Sequence, residues 1–150
     1  SKFIMDVNYF GVLNCVKAVE NYFKEKKEGH ISIVSSIAGY RGLPNSSGYG
    51  PSKAALNNFA ESIYFDFKKY NVRVSIISPG FIKTPLTDKN EFHMPFLKTV
   101  DFASEKIYEG LTKSSSFEIH FPKQLTLILK FLRLLPYKVY LFLIYKLYKR

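Results

Sequence analysis

The chain has 150 residues, 47% of them apolar, and a single cysteine, Cys15, so it is long enough for one domain with a sizeable core and is neither a disulfide scaffold nor a disordered polymer. The net charge of +10 is unevenly placed: Lys123, Lys130, Arg133, Lys138, Lys146, Lys149 and Arg150 give residues 122–150 a charge of +7 with no acid, and the first 121 residues carry only +3. A nucleic-acid binder needs its basic stripe on the folded body, and the body shows none.

The chain opens with Ser1 rather than Met, inside the approach to a helix and without a signal peptide, which predicts an N-terminally truncated chain. Phe3, Val7, Phe10, Leu13, Val16, Val19, Tyr22 and Phe23 recur near period 3.6 and predict a helix over Ile4–Glu25. Cys15 is expected to be buried on its apolar side, as a small hydrophobe, and Asn8 is a polar residue beside the stripe. The run HISIVS, 30–35, reads as a buried strand. Ser36–Ser47, with Gly39, Gly42, Pro44 and Asn45, reads as a loop. Tyr49–Lys69 is helical again, and Pro51 falls in its first turn, where a missing N–H does no harm.

VRVSII, 72–77, is a second strand, stopped by Ser78-Pro79-Gly80. Phe81–Thr99 reads as a loop or a pair of short helices over a site, Asp101–Lys113 as a helix and Phe117–Phe121 as a short strand. Strands alternating with helices imply βαβ units, hence an α/β fold with a parallel sheet. The tail, residues 122–150, is rich in Leu and Tyr with regularly placed bases, and Pro136 divides it into two segments. Neither reaches the roughly 18 apolar residues that span a bilayer.

The chemistry concentrates between Ser36 and Lys53. Tyr49 and Lys53 are related by i, i+4, so on a helix they share one face. A tyrosine ordinarily titrates near ~10, and an adjacent ammonium is expected to draw it down, making a phenol that can give or take a proton at a carbonyl or alcohol oxygen. Ser36, thirteen residues before Tyr49, can donate to the same oxygen; Ser35 is its neighbour in register. His30, His93 and His120 have no mutual spacing for metal ligation or a triad, so no metal site is expected.

In this order, Asn8 in DVNYFG, Ser36, Tyr49-x-x-x-Lys53 and Ser78-Pro79-Gly80-Phe81-Ile82-Lys83-Thr84 resemble the C-terminal part of a short-chain dehydrogenase/reductase, over residues 1 to 121. The resemblance implies a partial doubly wound, Rossmann-like parallel sheet, with the tail 122–150 outside it. It implies Tyr49 as general acid/base and Lys53 as the residue that lowers its pKa and binds the nicotinamide ribose. Ser36 would polarise the substrate carbonyl, and Asn8 would hold a relay water. Pro79, Gly80, Ile82 and Thr84 would line the nicotinamide of NADP or NAD, with 81–95 as a mobile substrate loop.

The family's Gly-rich turn and N-terminal half are absent, so these residues alone are expected neither to bind the cofactor nor to turn over substrate. The apolar lid residues Phe81, Ile82, Leu86, Phe92, Met94, Phe96 and Leu97 point to a small hydrophobic carbonyl or alcohol substrate. The helices bearing Asn8 and Tyr49 are candidates for homo-oligomer contacts. For the tail three readings stand: contact with a membrane surface through 123–150, packing over the cleft or across a dimer, and a solvated end. The expected setting is cytoplasmic, with peripheral membrane contact. The rival to an oxidoreductase is a non-catalytic, membrane-associated scaffold of the same fold.

Overall fold

The β-branched run Val72–Pro79 forms the central strand, β2, of a three-stranded parallel sheet in the order β1 (Gly29–Val34), β2, β3 (Glu118–Phe121). The computed structural model describes residues 1–89 and 92–148, so Asn90 and Glu91 of the lid and Lys149 and Arg150 of the tail lie outside the described residues. Register sets Ile33 against Ile76 and Ile77 against Ile119.

Because strand side chains alternate between faces, Val72, Val74 and Ile76 point one way and Arg73, Ser75 and Ile77 the other. The first set joins Ile31 and Ile33 under Leu56, Ala60, Ile63 and Phe67 of α3 (Tyr49–Lys68) and Val16 of α2 (Gly11–Lys26). On the other face Ile77, Ile119 and Phe121 meet Ala103 of α4 (Val100–Thr112). Arg73 crosses to the end of α4 and donates to the carbonyls of Gly110 and Leu111, both at 3.2 Å, where a helix has unpaired acceptors.

The first helix differs from its expected form. It starts as α1 (Lys2–Met5), passes through a π-helical turn (Asp6–Phe10) and continues as α2. Its packed side is Tyr9, Val12, Val16 and Phe23; Phe3, Val7, Phe10, Val19 and Tyr22 are exposed. Cys15 is exposed as well, contrary to expectation. It sits one residue from Val16, so about 100° round the helix from the residue that faces the sheet. β2 also runs two residues further than the sequence suggests, because Ser78 and Pro79 pair with His120 and Phe121.

The tail forms two helices that part at Pro136, α5 (Lys123–Leu134) and α6 (Tyr137–Tyr148). Leu125 and Thr126 of α5 are buried, and Leu125 packs with Ile37, Tyr40, Phe81 and Leu129. Among the described residues no helix is long and apolar enough to cross a membrane.

Leu56 has no exposed surface. Leu56→Ala should therefore cost the intact protein about 2–5 kcal/mol in denaturant unfolding. Tyr108→Ala, at an exposed position of α4, should stay within about 0.5 kcal/mol.

Candidate active site

The carboxyl ends of β1 and β2 open onto one edge of the sheet, where parallel α/β folds place their ligands. Ser36 follows β1. Its Oγ accepts from the Ala38 N–H at 3.2 Å and so caps a single 3₁₀ turn, Ile37–Gly39. Tyr49 opens α3 and Lys53 follows one turn later, as their spacing requires. The Ser36 hydroxyl stands beside the Tyr49 phenol, near enough to favour its charged form. The Lys53 ammonium lies 5.6 Å from the Tyr49 ring centroid and donates to the Val34 carbonyl, at the end of β1, at 2.9 Å. The residues singled out in the central stretch thus meet in one place.

Their electrostatics depart from expectation. Although Tyr49 is 42% exposed, desolvation of its phenol pushes it above the usual tyrosine value, and the Ser36 hydroxyl only partly offsets this. Burial likewise holds Lys53 below the usual lysine value. Lys53 faces the ring and is anchored on the Val34 carbonyl, and desolvation, which disfavours both charged forms, is the largest cause at each group.

Ser35 resolves the register by its own engagement. It is buried and donates to the Lys53 carbonyl at 3.1 Å and to Asn57 Oδ1 at 2.6 Å. Asn57 in turn donates to the Gly39 carbonyl at 3.0 Å. No motif in the sequence singles out Asn57, although it continues the i, i+4 row from Tyr49 through Lys53. The loop approaches α3 so closely that a Cβ on Gly39 would stand 2.7 Å from the Lys53 carbonyl carbon. Asn8 is held on the π-helical turn, a feature frequent at functional sites. Its amide donates to Ser52 Oγ at 3.1 Å, and Ser52 donates to the Tyr49 carbonyl at 2.7 Å. Asn8 therefore reaches the Tyr49 turn through Ser52, a buried residue that no sequence pattern marks.

At the end of β2, the Gly80 N–H donates to the Phe121 carbonyl at 2.7 Å. Lid residues 81–99 close at their base, where Ile82 bridges to Lys98. Thr87 Oγ1 donates to the Ile82 carbonyl at 2.7 Å and accepts from the Thr84 N–H at 2.8 Å, and the Thr84 and Thr87 hydroxyls lie 3.2 Å apart. Pro79, Gly80, Ile82 and Thr84 thus sit on one short segment between β2 and the lid.

The other side of the loop is held by the tail. Tyr40 donates to Glu118 at 2.5 Å, and Lys130 of α5 forms an ion pair with the same carboxylate at 2.5 Å. Burial pushes the Glu118 carboxyl up, but the Lys130 and Tyr40 hydrogen bonds outweigh it and hold the group below the usual carboxylate value. Arg41 Nη1 donates to the carbonyls of Leu132, Arg133 and Leu135 at 3.0, 3.2 and 2.7 Å. Its guanidinium stacks 3.9 Å from the Tyr140 ring centroid and 4.7 Å from that of Tyr137. Tyr140 completes the clasp by donating to the Gly42 carbonyl at 2.6 Å.

Residues 2–94 match the model of a family described as short chain dehydrogenase. An uncharacterized oxidoreductase of Myxococcus xanthus (strain DK1622) is 40% identical over 133 residues, covering 89% of this chain and 52% of that protein. Human retinol dehydrogenase 8 is 35% identical over 86 residues, covering 57% of this chain and 28% of that protein. A short chain dehydrogenase from Burkholderia cenocepacia J2315, solved in complex with NADP, superposes with a TM-score of 0.74 at 28% identity, covering 83% of this chain and 52% of that one. The chain thus spans about half the length of the relative it matches most extensively among these.

The contact at Gly39 yields a sharp contrast. Gly39→Ala should destabilise the intact protein by about 1–3 kcal/mol, because backbone must move to admit the methyl group. A Cβ on Gly42 would meet no atom within 4 Å, and Gly42 has no left-handed φ. Gly42→Ala should be neutral or stabilising by up to about 1 kcal/mol. Denaturation midpoints of the two variants check this.

Proposed function

The chain belongs to the short-chain dehydrogenase family, and from that premise we propose that the intact protein is an NAD(P)(H)-dependent oxidoreductase in which Tyr49 exchanges a proton with the oxygen of a hydrophobic carbonyl or alcohol substrate. The observation that carries the reading is the convergence of Ser36, Tyr49 and Lys53 at the carboxyl edge of β1, with Lys53 on the Val34 carbonyl and 5.6 Å from the Tyr49 ring centroid. A scaffold has no need of this set.

The residues present fit a nicotinamide nucleotide. Among the described residues Val34 O is the only hydrogen-bond acceptor for the Lys53 ammonium, so donors remain for sugar hydroxyls, as the chemistry of a ribose diol requires. Pro79, Gly80, Ile82 and Thr84 would line its nicotinamide end. When bound, that group supplies or accepts the hydride at the substrate carbon.

This chain's own residues manage the oxygen. Ser36 donates a hydrogen bond to it and so steadies the developing negative charge. Tyr49, kept protonated by burial, is set up at neutral pH to donate its phenolic proton as a carbonyl is reduced. In the opposite direction the phenolate must form first. Lys53 orients the sugar and faces the ring. Asn8 is tied to the Tyr49 turn through Ser52 and would hold a relay water toward Lys53.

The exposed apolar side chains of the lid, Leu86, Phe92, Phe96 and Leu97, favour a hydrophobic substrate. The similarity to a retinol dehydrogenase supports the same class.

Tyr49→Phe in the intact protein should lower kcat by about 10²–10⁴-fold while cofactor affinity holds. Residual turnover near wild type would count against the assignment. The Ser36 hydroxyl pulls Tyr49 down, so Ser36→Ala should raise the Tyr49 pKa. The rising limb of the alcohol-oxidation pH profile should then move to higher pH, and a limb that stays or moves lower contradicts the pairing.

A further inference from the structure

We propose that the outward faces of α5 and α6 form a docking surface for an anionic lipid bilayer, fixed to the active-site loop by the Arg41 clasp; the proposal does not depend on the reaction assigned above. On α5, Leu127, Ile128, Phe131 and Leu134 are exposed and fall at i, i+1, i+4 and i+7, which is one helix face. Leu125 and Leu129, which pack on the body, lie on the opposite side. Phe131 is 64% and Leu134 81% exposed, so the side turned away from the protein is apolar, the reverse of a surface helix in water. On α6, Leu141 and Phe142 are 59% and 62% exposed. An apolar surface of this kind, spread over two adjacent helices, marks an interaction site.

Charge identifies the occupant. Residues 122–150 carry seven bases and no acid. Lys130 is spent on Glu118, whereas Arg133, Lys138 and Lys146 are exposed beside the apolar faces. Leucines and aromatics flanked by bases are the pattern of a helix lying in a headgroup layer, with the aliphatic stems of lysine reaching up to anionic lipid. A second copy is a poorer match, because an isologous contact would bring two tails of +7 together. A further strand pairing at the free edge of β1 would lie at the opposite end of the sheet from β3, which leads into α5. Each helix has 12 residues, too few to cross a bilayer, so the surface lies on the membrane.

The clasp makes this more than a tether. Arg41 and Gly42 belong to the loop between Ser36 and Tyr49, and they hold α5 and α6 through the Arg41–carbonyl bonds and the Tyr140 hydroxyl. The lid reaches α5 on its body-facing side, because Phe92 meets Phe81 edge-on at 5.9 Å, and Phe81 packs with Leu125 and Leu129. A bilayer against the outward face of α5 would therefore be parted from the lid by the thickness of that one helix, about 10 Å.

Co-sedimentation of the intact protein with phosphatidylcholine vesicles, alone or enriched in phosphatidylserine, tests this. The wild type should pellet with the anionic vesicles at least about tenfold better than with neutral ones, and less at high salt. Phe131→Ser/Phe142→Ser and Lys138→Glu/Lys146→Glu should each lower that partition at least about tenfold. Turnover of a water-soluble substrate should be unchanged in both. Equal partition of variants and wild type overturns the proposal. So does indifference to lipid charge, or failure of the wild type to pellet. A concentration-dependent dimer that the same variants abolish, without vesicle binding, would assign the surface to a second copy and likewise overturn it.

Discussion

The spacing between Ser36 and the Tyr49–Lys53 pair is set where the loop backbone touches the helix backbone. Gly39 lies against the Lys53 carbonyl with no room for a side chain, and Asn57 and Ser35 pin the same contact with three hydrogen bonds of 2.6–3.1 Å. Everything chemical in the chain depends on that separation. If the loop lifts, the Ser36 hydroxyl leaves the phenol, and the one interaction that moderates the upward pull of burial on Tyr49 is lost. The hydrophobic core supports the arrangement from below: Leu56 and Ala60 carry no exposed surface and fix α3 on β1 and β2, so the helix cannot roll its Tyr49–Lys53 row away.

The loop is also held from the far side. Tyr40 and Arg41 are adjacent in sequence yet reach two different features of the tail, the Glu118–Lys130 pair and the end of α5. A guanidinium is suited to the second task, because its fork can satisfy several carbonyls that a helix end leaves unpaired while its flat face covers aromatic rings. Ile37, Tyr40, Arg41, Leu43, Leu129 and Tyr140 line a cavity of about 10 Å³ between the loop and the tail.

Much of this was legible in the sequence, and the exceptions share a cause. The i, i+4 spacing of Tyr49 and Lys53 survives into the structure because it depends only on helix geometry. The three strands are legible because β-branched runs of that length have few other uses, and Pro136 parts the tail because proline cannot continue a helix. Periodicity, however, identifies a stripe and not what covers it: Val7, Phe10 and Val19 repeat correctly and are exposed, and Cys15 with them. The electrostatic expectation for Tyr49 rested on proximity to Lys53, whereas burial governs. Asn8's link through Ser52 spans 44 positions and the Arg41 clasp more than 90, separations at which local patterns carry no information.

Amide hydrogen exchange in the intact protein tests most directly whether the loop between Ser36 and Tyr49 is held from both sides. In Arg41→Met, the Gly39 and Tyr40 amides, bonded to the Ser36 and Ile37 carbonyls, should exchange about tenfold faster than in the wild type, with the amides of α4 unchanged. Unchanged exchange at Gly39 and Tyr40 would contradict the account and leave α3 alone as the support of the loop.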